Sequence, residues 1–146
     1  MIGMHDDRVT IDKRLAEARS RIRRLSPSEA AEAQARGAVI IDTRDSLDRS
    51  AEGVIPGSKR ITRDTLEWRA DPTAELPDPV VADIETDLIV VCNEGYGSSI
   101  AADSLRQLGH VTVADVIGGY RAWKAAGLPT ERLPAPMPPV DAPALD

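Results

Sequence analysis

Apolar residues follow two rhythms along this chain. Over residues 11–24 they recur at spacings of four and three (Ile11, Leu15, Ala18, Ile22, then Leu25), which predicts a helix with one apolar and one basic face. A second helix is predicted to open at Ser26-Pro27-Ser28-Glu29, where Ser26 can cap, Pro27 suits the first helical position and Glu29 complements the dipole; Gly37 ends it. The rhythm then changes. Ala38-Val39-Ile40-Ile41-Asp42 is a short continuous apolar run, the pattern of a strand buried on both faces of a parallel sheet. A weak helix over 46–51, a short strand over 59–61 and a helix over 64–69 follow. Residues 70–87 carry Pro72, Pro77, Pro79 and several acids without periodicity, and are expected to form a long surface connection.

Order resumes at Leu88-Ile89-Val90-Val91, a second buried strand that runs straight into Cys92-Asn93-Glu94-Gly95-Tyr96-Gly97. Beyond this turn Ala101, Leu105 and Leu108 mark the inner face of a helix closed by Gly109. A strand over 113–117 and a helix over 119–126, stopped by Gly127 and Pro129, complete the alternation of an α/β fold built on a parallel sheet.

At 146 residues, 42% of them hydrophobic, the chain can bury one substantial core. The expected division is a helical extension over 1–24, one domain over 25–129 and a proline-rich tail over 130–146. The tail carries Pro134, Pro136, Pro138, Pro139 and Pro143, has no core-forming period, and is expected to be extended or disordered. A formal net charge of -6 argues against nucleic acid or an anionic membrane as the main partner. The local exception is Lys13, Arg14, Arg19, Arg21, Arg23 and Arg24, opposed by Glu17 and expected to form a solvated helix face. The first ten residues lack a secretory pattern and no apolar run approaches a membrane span, so a cytoplasmic location is expected. No motif specifies an oligomeric state.

Cys92 is the chain's one cysteine, which excludes an internal disulfide and a multi-cysteine zinc cluster. It is either a buried filler or a reactive thiol. Its position decides between them. In an open parallel sheet, sites form where loops converge at the carboxyl ends of strands, and four such ends are legible: Thr43-Arg44, Thr62-Arg63, Cys92 to Gly97, and Gly118-Gly119. A cysteine there has backbone N–H groups curling around it and a helix N-terminus behind it, an arrangement that favours a sulfur anion. Gly95 and Gly97 permit the curl. His5 and His110 have no metal-like companions and are expected at the surface.

These residues resemble rhodanese-like domains, specifically the small single-domain members whose active loop reads Cys-Asn-Glu-Gly-Tyr followed by small residues. The resemblance covers about residues 25–129. It rests on Ile41-Asp42-Thr43-Arg44, Glu52-Gly53-Val54-Ile55-Pro56-Gly57-Ser58, Leu66-Glu67-Trp68-Arg69, the Cys92 loop, and Val116-Ile117-Gly118-Gly119-Tyr120-Arg121-Ala122-Trp123 leading to Ala126-Gly127-Leu128-Pro129. It implies a central parallel sheet flanked by helices on both faces, a Cys92 persulfide intermediate, and neither cofactor nor metal.

The implied chemistry is double displacement. Cys92 takes a sulfane sulfur from a small-molecule donor, thiosulfate or another persulfide source, and passes it to cyanide, a thiol or a protein acceptor. With no second cysteine, the acceptor is external. Related phosphatases use a loop one residue longer that ends in Arg six positions after the Cys; here that position is Ser98. The loop residues Asn93, Glu94, Gly95, Tyr96, Gly97 and Ser98 are the candidate substrate contacts. Many family members carry Arg or Lys in this loop, whereas the one charged side chain here is Glu94, which makes thiosulfate a poor donor. Val54 stands where the family has His, a position read as structural. Arg44 resembles the family's arginine that ties strand ends to loops, with Asp42 as its structural partner. Arg63 and Arg69 are candidate sources of positive potential near the loop, or ordinary surface arginines. Trp68 and Trp123 are expected to pack, and Tyr96 to be a loop-mouth contact or a lid. The rival readings are a rhodanese-like binding or regulatory module with little turnover, holding a partner with its basic helix and tail, and a redox-sensing thiol.

Overall fold

The computed structural model describes residues 7–134. Helix α1 spans Ile11–Arg21, strand β1 Arg23–Leu25, α2 Pro27–Ala35, β2 Val39–Asp42, α3 Ser46–Glu52, β3 Lys59–Arg60, α4 Leu66–Ala70, β4 Leu88–Val91, α5 Gly97–Gln107, β5 Val113–Val116 and α6 Gly119–Ala125. The five strands form one sheet in the order β1-β5-β4-β2-β3, every pair parallel. This is the α/β architecture expected from the alternating pattern.

Strand β4 lies between β5 and β2 and is buried along its whole length. Because successive strand side chains point to opposite faces, its apolar run feeds two cores. Ile89 and Val91 join Ile40, Ala30, Ala33, Tyr120 and Trp123 on one face. Leu88 and Val90 join Ile41, Leu66, Ala101, Ala102 and Leu105 on the other. The capping box at Ser26 and Glu29 forms as expected, with the Ser26 side chain accepting from the Glu29 amide and the Glu29 carboxylate accepting from the Ser26 amide.

The first element departs from the expectation of a helix over 11–24. The helix stops at Arg21, and Arg23–Leu25 turns extended as an edge strand paired with β5, Arg24 opposite Asp115. Three residues are too few for a strand period to be read. The expected apolar face is also thin: α1 buries Ala18 alone, and Ile11 is 68% exposed. Side-chain charge holds the helix instead, because Arg14 and Arg21 both donate to the fully buried carboxylate of Asp103 on α5. The basic segment is therefore only in part a solvated face: Lys13, Arg21 and Arg23 are exposed, whereas Arg14, Arg19 and Arg24 are half-buried.

Other corrections are local. Leu108 caps α5 and is 39% exposed rather than core. His110 is 1% exposed, with its Nε2–H donating to the Ala70 carbonyl at 2.8 Å. Trp123 packs as expected, but Trp68 stands 66% exposed on α4. Residues 71–87 hold no helix or strand, yet the connection is not all surface: Val81 is buried, beneath an Asp78 carboxylate that accepts from the amides of Val80 and Val81. Glu131 forms an antiparallel bridge to Val54; His5 and the tail prolines from Pro136 onward lie outside the described residues. Among the described residues no helix is long and apolar enough to cross a membrane.

The Asp103 cluster predicts acid sensitivity. Hydrogen bonding from Arg21, opposed by burial and reinforced by the charges of Arg21 and Arg14, holds the Asp103 carboxyl below the ordinary carboxylate range. A depressed value contributes stability above the unfolded-state pKa of about 3.9 and loses it as pH falls through the folded value. Asp103→Asn is thus expected to lower the urea midpoint at pH 7, with the gap to the unmodified protein closing below about pH 4. An equal gap at both pH values counts against the ion cluster.

Candidate active site

The C-terminal end of β4 delivers Cys92 to the central strand's exit, and α5 begins five residues later at Gly97. Between them the chain curls so that the N–H groups of Gly95 and Ser98 point at Cys92 Sγ, at 3.2 and 3.3 Å. Two amides converging on one sulfur form an anion cradle. The curl is held from outside by the start of α6: the amide of Tyr120 donates to the Cys92 carbonyl at 2.8 Å and that of Arg121 to the Asn93 carbonyl at 3.1 Å. This contact leaves no room at two glycines. Gly95 has φ +87°, and a Cβ there would lie 2.7 Å from the Gly118 nitrogen; Gly119 has φ +66°, and its Cβ would lie 2.5 Å from the Cys92 carbonyl oxygen.

Cys92 is half-buried and lines a cavity of about 480 Å³ together with Thr43, Arg44, Asp45, Asp48, Thr62, Arg63, Asp64 and Asn93. Three of the four strand ends meet here. Arg44 is a buried member of that lining, its Nε and Nη2 donating to the two Asp42 carboxylate oxygens at 3.0 and 2.9 Å and its Nη2 to the Gly53 carbonyl at 2.7 Å. The guanidinium lies 3.9 Å from the centre of the Tyr120 ring and reaches Asn93 Oδ1 at 3.4 Å, so it joins β2, the Cys92 loop and α6. Arg63 spends its charge on Glu67, through two bonds at 2.8 and 2.9 Å. Arg69 lines a separate neighbouring cavity of about 330 Å³, which shares Thr62 with the first.

The loop side chains divide by direction. Asn93 turns its amide to Glu52 at 3.1 Å. Glu94 points outward to an ion pair with Arg121, which also binds Glu52. Hydrogen bonds from Arg121 and Asn93 outweigh burial and hold the Glu52 carboxyl below its ordinary range. Tyr96 is 61% exposed, with Arg19 5.6 Å from its ring centre. Ser98 and Ser99 are fully buried and both donate to Asp115 Oδ2, at 2.9 and 2.7 Å.

Sequence reasoning did not place Arg19, Arg24, Asp115, Glu52 or Arg121 at the site, yet all of them touch the loop or its supports. A signal existed for one of them: Asp115 is a carboxylate in an otherwise apolar strand pattern, and buried carboxylates require cationic partners. Among the described residues, no group of three or more His, Cys, Asp or Glu side chains is placed to hold a metal ion.

A five-stranded parallel sheet with a lone cysteine cradled between its central strand and the following helix defines a class of α/β proteins with a cysteine anion site. Comparison with known proteins makes the class specific. The model of the rhodanese-like domain matches residues 26–126, and the chain belongs to that family. It is 34% identical over 107 residues to the thiosulfate sulfurtransferase GlpE of Ectopseudomonas mendocina, covering 73% of this chain and 88% of that protein. The GlpE of Pseudomonas aeruginosa is 32% identical over 102 residues, covering 70% and 84%. Among solved structures, a protein of unknown function from Rhodopseudomonas palustris, described as a possible tyrosine phosphatase, superposes with TM-score 0.78 at 34% identity over 84% of this chain and 94% of that one. The polysulfide-sulfur transferase of Wolinella succinogenes superposes with TM-score 0.65 at 25% identity over 83% and 86%.

The packing around Gly119 gives a direct test of the cradle's support. Gly119→Ala is expected to cost about 2 kcal/mol or more in a urea unfolding titration, because strain at positive φ adds to a backbone clash. A cost below about 0.5 kcal/mol would show that the loop relaxes freely around the new methyl group.

Proposed function

We propose that the protein is a sulfurtransferase in which Cys92 carries one sulfur atom from a donor to an acceptor outside the chain. The observation that carries this reading is the convergence of the Gly95 and Ser98 amides on Sγ of Cys92, a residue that lines an open cavity. Membership of the rhodanese-like family and similarity to proteins named thiosulfate sulfurtransferase and polysulfide-sulfur transferase support it.

In the proposed cycle the Cys92 thiolate attacks the outer sulfur of the donor. The donor's S–S bond breaks, its electron pair leaves with the remainder of the donor, and Cys92 becomes a persulfide. The terminal sulfur then carries the negative charge that the loop amides are placed to stabilise. An acceptor nucleophile, cyanide or a thiolate, attacks that sulfur and releases Cys92 as thiolate. Cys92 is the one cysteine of the chain, so no internal thiol competes for the sulfur. The setting we assign is the cytoplasm, where external thiols are abundant.

Donor choice follows from the lining. Asp45, Asp48 and Asp64 face the cavity, while the charges of Arg44 and Arg63 are offset by Asp42 and Glu67. A doubly charged donor such as thiosulfate meets more repulsion here than a persulfide of lower charge. Phosphoryl transfer, suggested by the description of the Rhodopseudomonas palustris protein, lacks its usual grip. The residue six positions after Cys92 is Ser98, buried and bonded to Asp115, and both cavity arginines already hold carboxylates.

Intact-mass measurement after incubation with thiosulfate and, separately, with a persulfide donor tests the reading. A gain of one sulfur atom is expected, larger in yield with the persulfide, removed by added thiol and absent in Cys92→Ser. No gain from any donor, or turnover of an aryl phosphate ester that depends on Cys92, sinks it.

A further inference from the structure

The loop from Asn93 to Ser98 contains no Lys or Arg, and Glu94 spends its charge on Arg121. Positive charge reaches the loop from the opposite side instead. Arg19 on α1 and Arg24 on β1 each direct Nη2 at the carbonyl oxygen of Gly95, at 2.9 and 3.1 Å. Both residues precede the segment matched by the family model, 26–126.

We propose that Arg19 and Arg24 are positioning residues for the Cys92 cradle, holding the loop's backbone amides toward the sulfur and supplying its positive potential from outside the family domain. The inference rests on the reading of Cys92 as a sulfur carrier and deepens it. The two residues whose amides touch Cys92 Sγ are Gly95 and Ser98, and both are fixed from behind by this pair. At Gly95 the carbonyl is shared by two guanidinium groups. Held there, the oxygen cannot swing toward the sulfur, where it would repel an anion. At Ser98 the link is one step longer: Arg24 grips Asp115 with Nε at 3.0 Å, and Asp115 accepts from the Ser98 and Ser99 hydroxyls. Arg19 closes the ring by donating from Nε to Ser99 Oγ at 3.0 Å. Asp115 is fully buried, so Arg24 also neutralises a carboxylate that would otherwise oppose a sulfur anion.

Arg21 separates this role from simple docking of α1. It anchors the helix to Asp103, and its side chain pairs with Asp103 and Glu17, neither in the loop.

The decisive measurement is the rate of Cys92 alkylation by iodoacetamide as a function of pH in the full chain, for Arg19→Gln, Arg19→Lys, Arg24→Lys and Arg21→Gln. Arg19→Gln is expected to slow alkylation about three- to tenfold near pH 7, less than the full effect of a charge-assisted hydrogen bond because Arg24 still holds the Gly95 carbonyl. The deficit should vanish at alkaline pH, where thiols ionise without help. Arg19→Lys should recover part of the rate, since a point charge replaces the fork. Arg24→Lys, which keeps Asp115 paired, should show a similar deficit if it folds, and Arg21→Gln none. The inference is overturned if the Arg19→Gln profile superimposes on that of the unmodified protein. It is equally overturned if the deficit persists unchanged at alkaline pH, or if Arg21→Gln matches it. Alkylation needs no sulfur donor, so the two ideas fail separately. A shifted profile in a protein that never gains sulfur leaves the positioning role standing and removes the transferase; sulfur transfer with an unshifted profile does the reverse.

Discussion

Three backbone carbonyls of the Cys92 loop, those of Cys92, Asn93 and Gly95, are held by donors that lie outside the loop. Cys92 and Asn93 offer theirs to the first amides of α6, and Gly95 offers its own to Arg19 and Arg24. A tight turn that satisfies its acceptors outward is left with its donors inward, and here the inward space is occupied by Cys92 Sγ. The rest of the molecule serves that condition. The central position of β4 puts the turn among neighbouring strand ends, and the bare backbones of Gly95 and Gly119 let α6 approach within hydrogen-bonding distance.

Charge is organised on the same principle. The chain is acidic overall, yet among the described residues its buried aspartates are each met by a cation: Asp42 by Arg44 and Arg49, Asp78 by Lys59, Asp103 by Arg14 and Arg21, Asp115 by Arg24. A buried ion pair contributes little net stability, but breaking one leaves an unpaired charge in a dry setting and is costly. Such pairs fix geometry. The Asp42 pair holds Arg44 in the cavity lining, the Asp103 pair seats α1, and the Asp115 pair backs the loop through Ser98 and Ser99. The basic segment near the N-terminus is thus the complement of an acidic interior.

Much of this was legible. The alternation of apolar runs with amphipathic stretches located β2, β4, β5, α2, α5 and α6, and the strand-to-helix turn at Cys92 stood out because six residues joined a buried run to a helical period. Strand β1 was not legible: three residues, two of them arginines, show no apolar period, and they become a strand because β5 presents an open edge and a buried acid. Trp68 illustrates the same limit from the other side. Its size suggested packing, but α4 is five residues long and turns that position outward.

By itself the sequence determined the fold class, the place of Cys92 on it, and the exclusion of an internal disulfide, because these depend on local period, on turn residues and on a count of one cysteine. The tertiary structure alone decided where the loop's positive charge comes from. Arg19 and Arg24 bond to Gly95 and Asp115 across 71 to 91 positions of chain, and no local pattern encodes a pairing between side chains that only the closed sheet brings together.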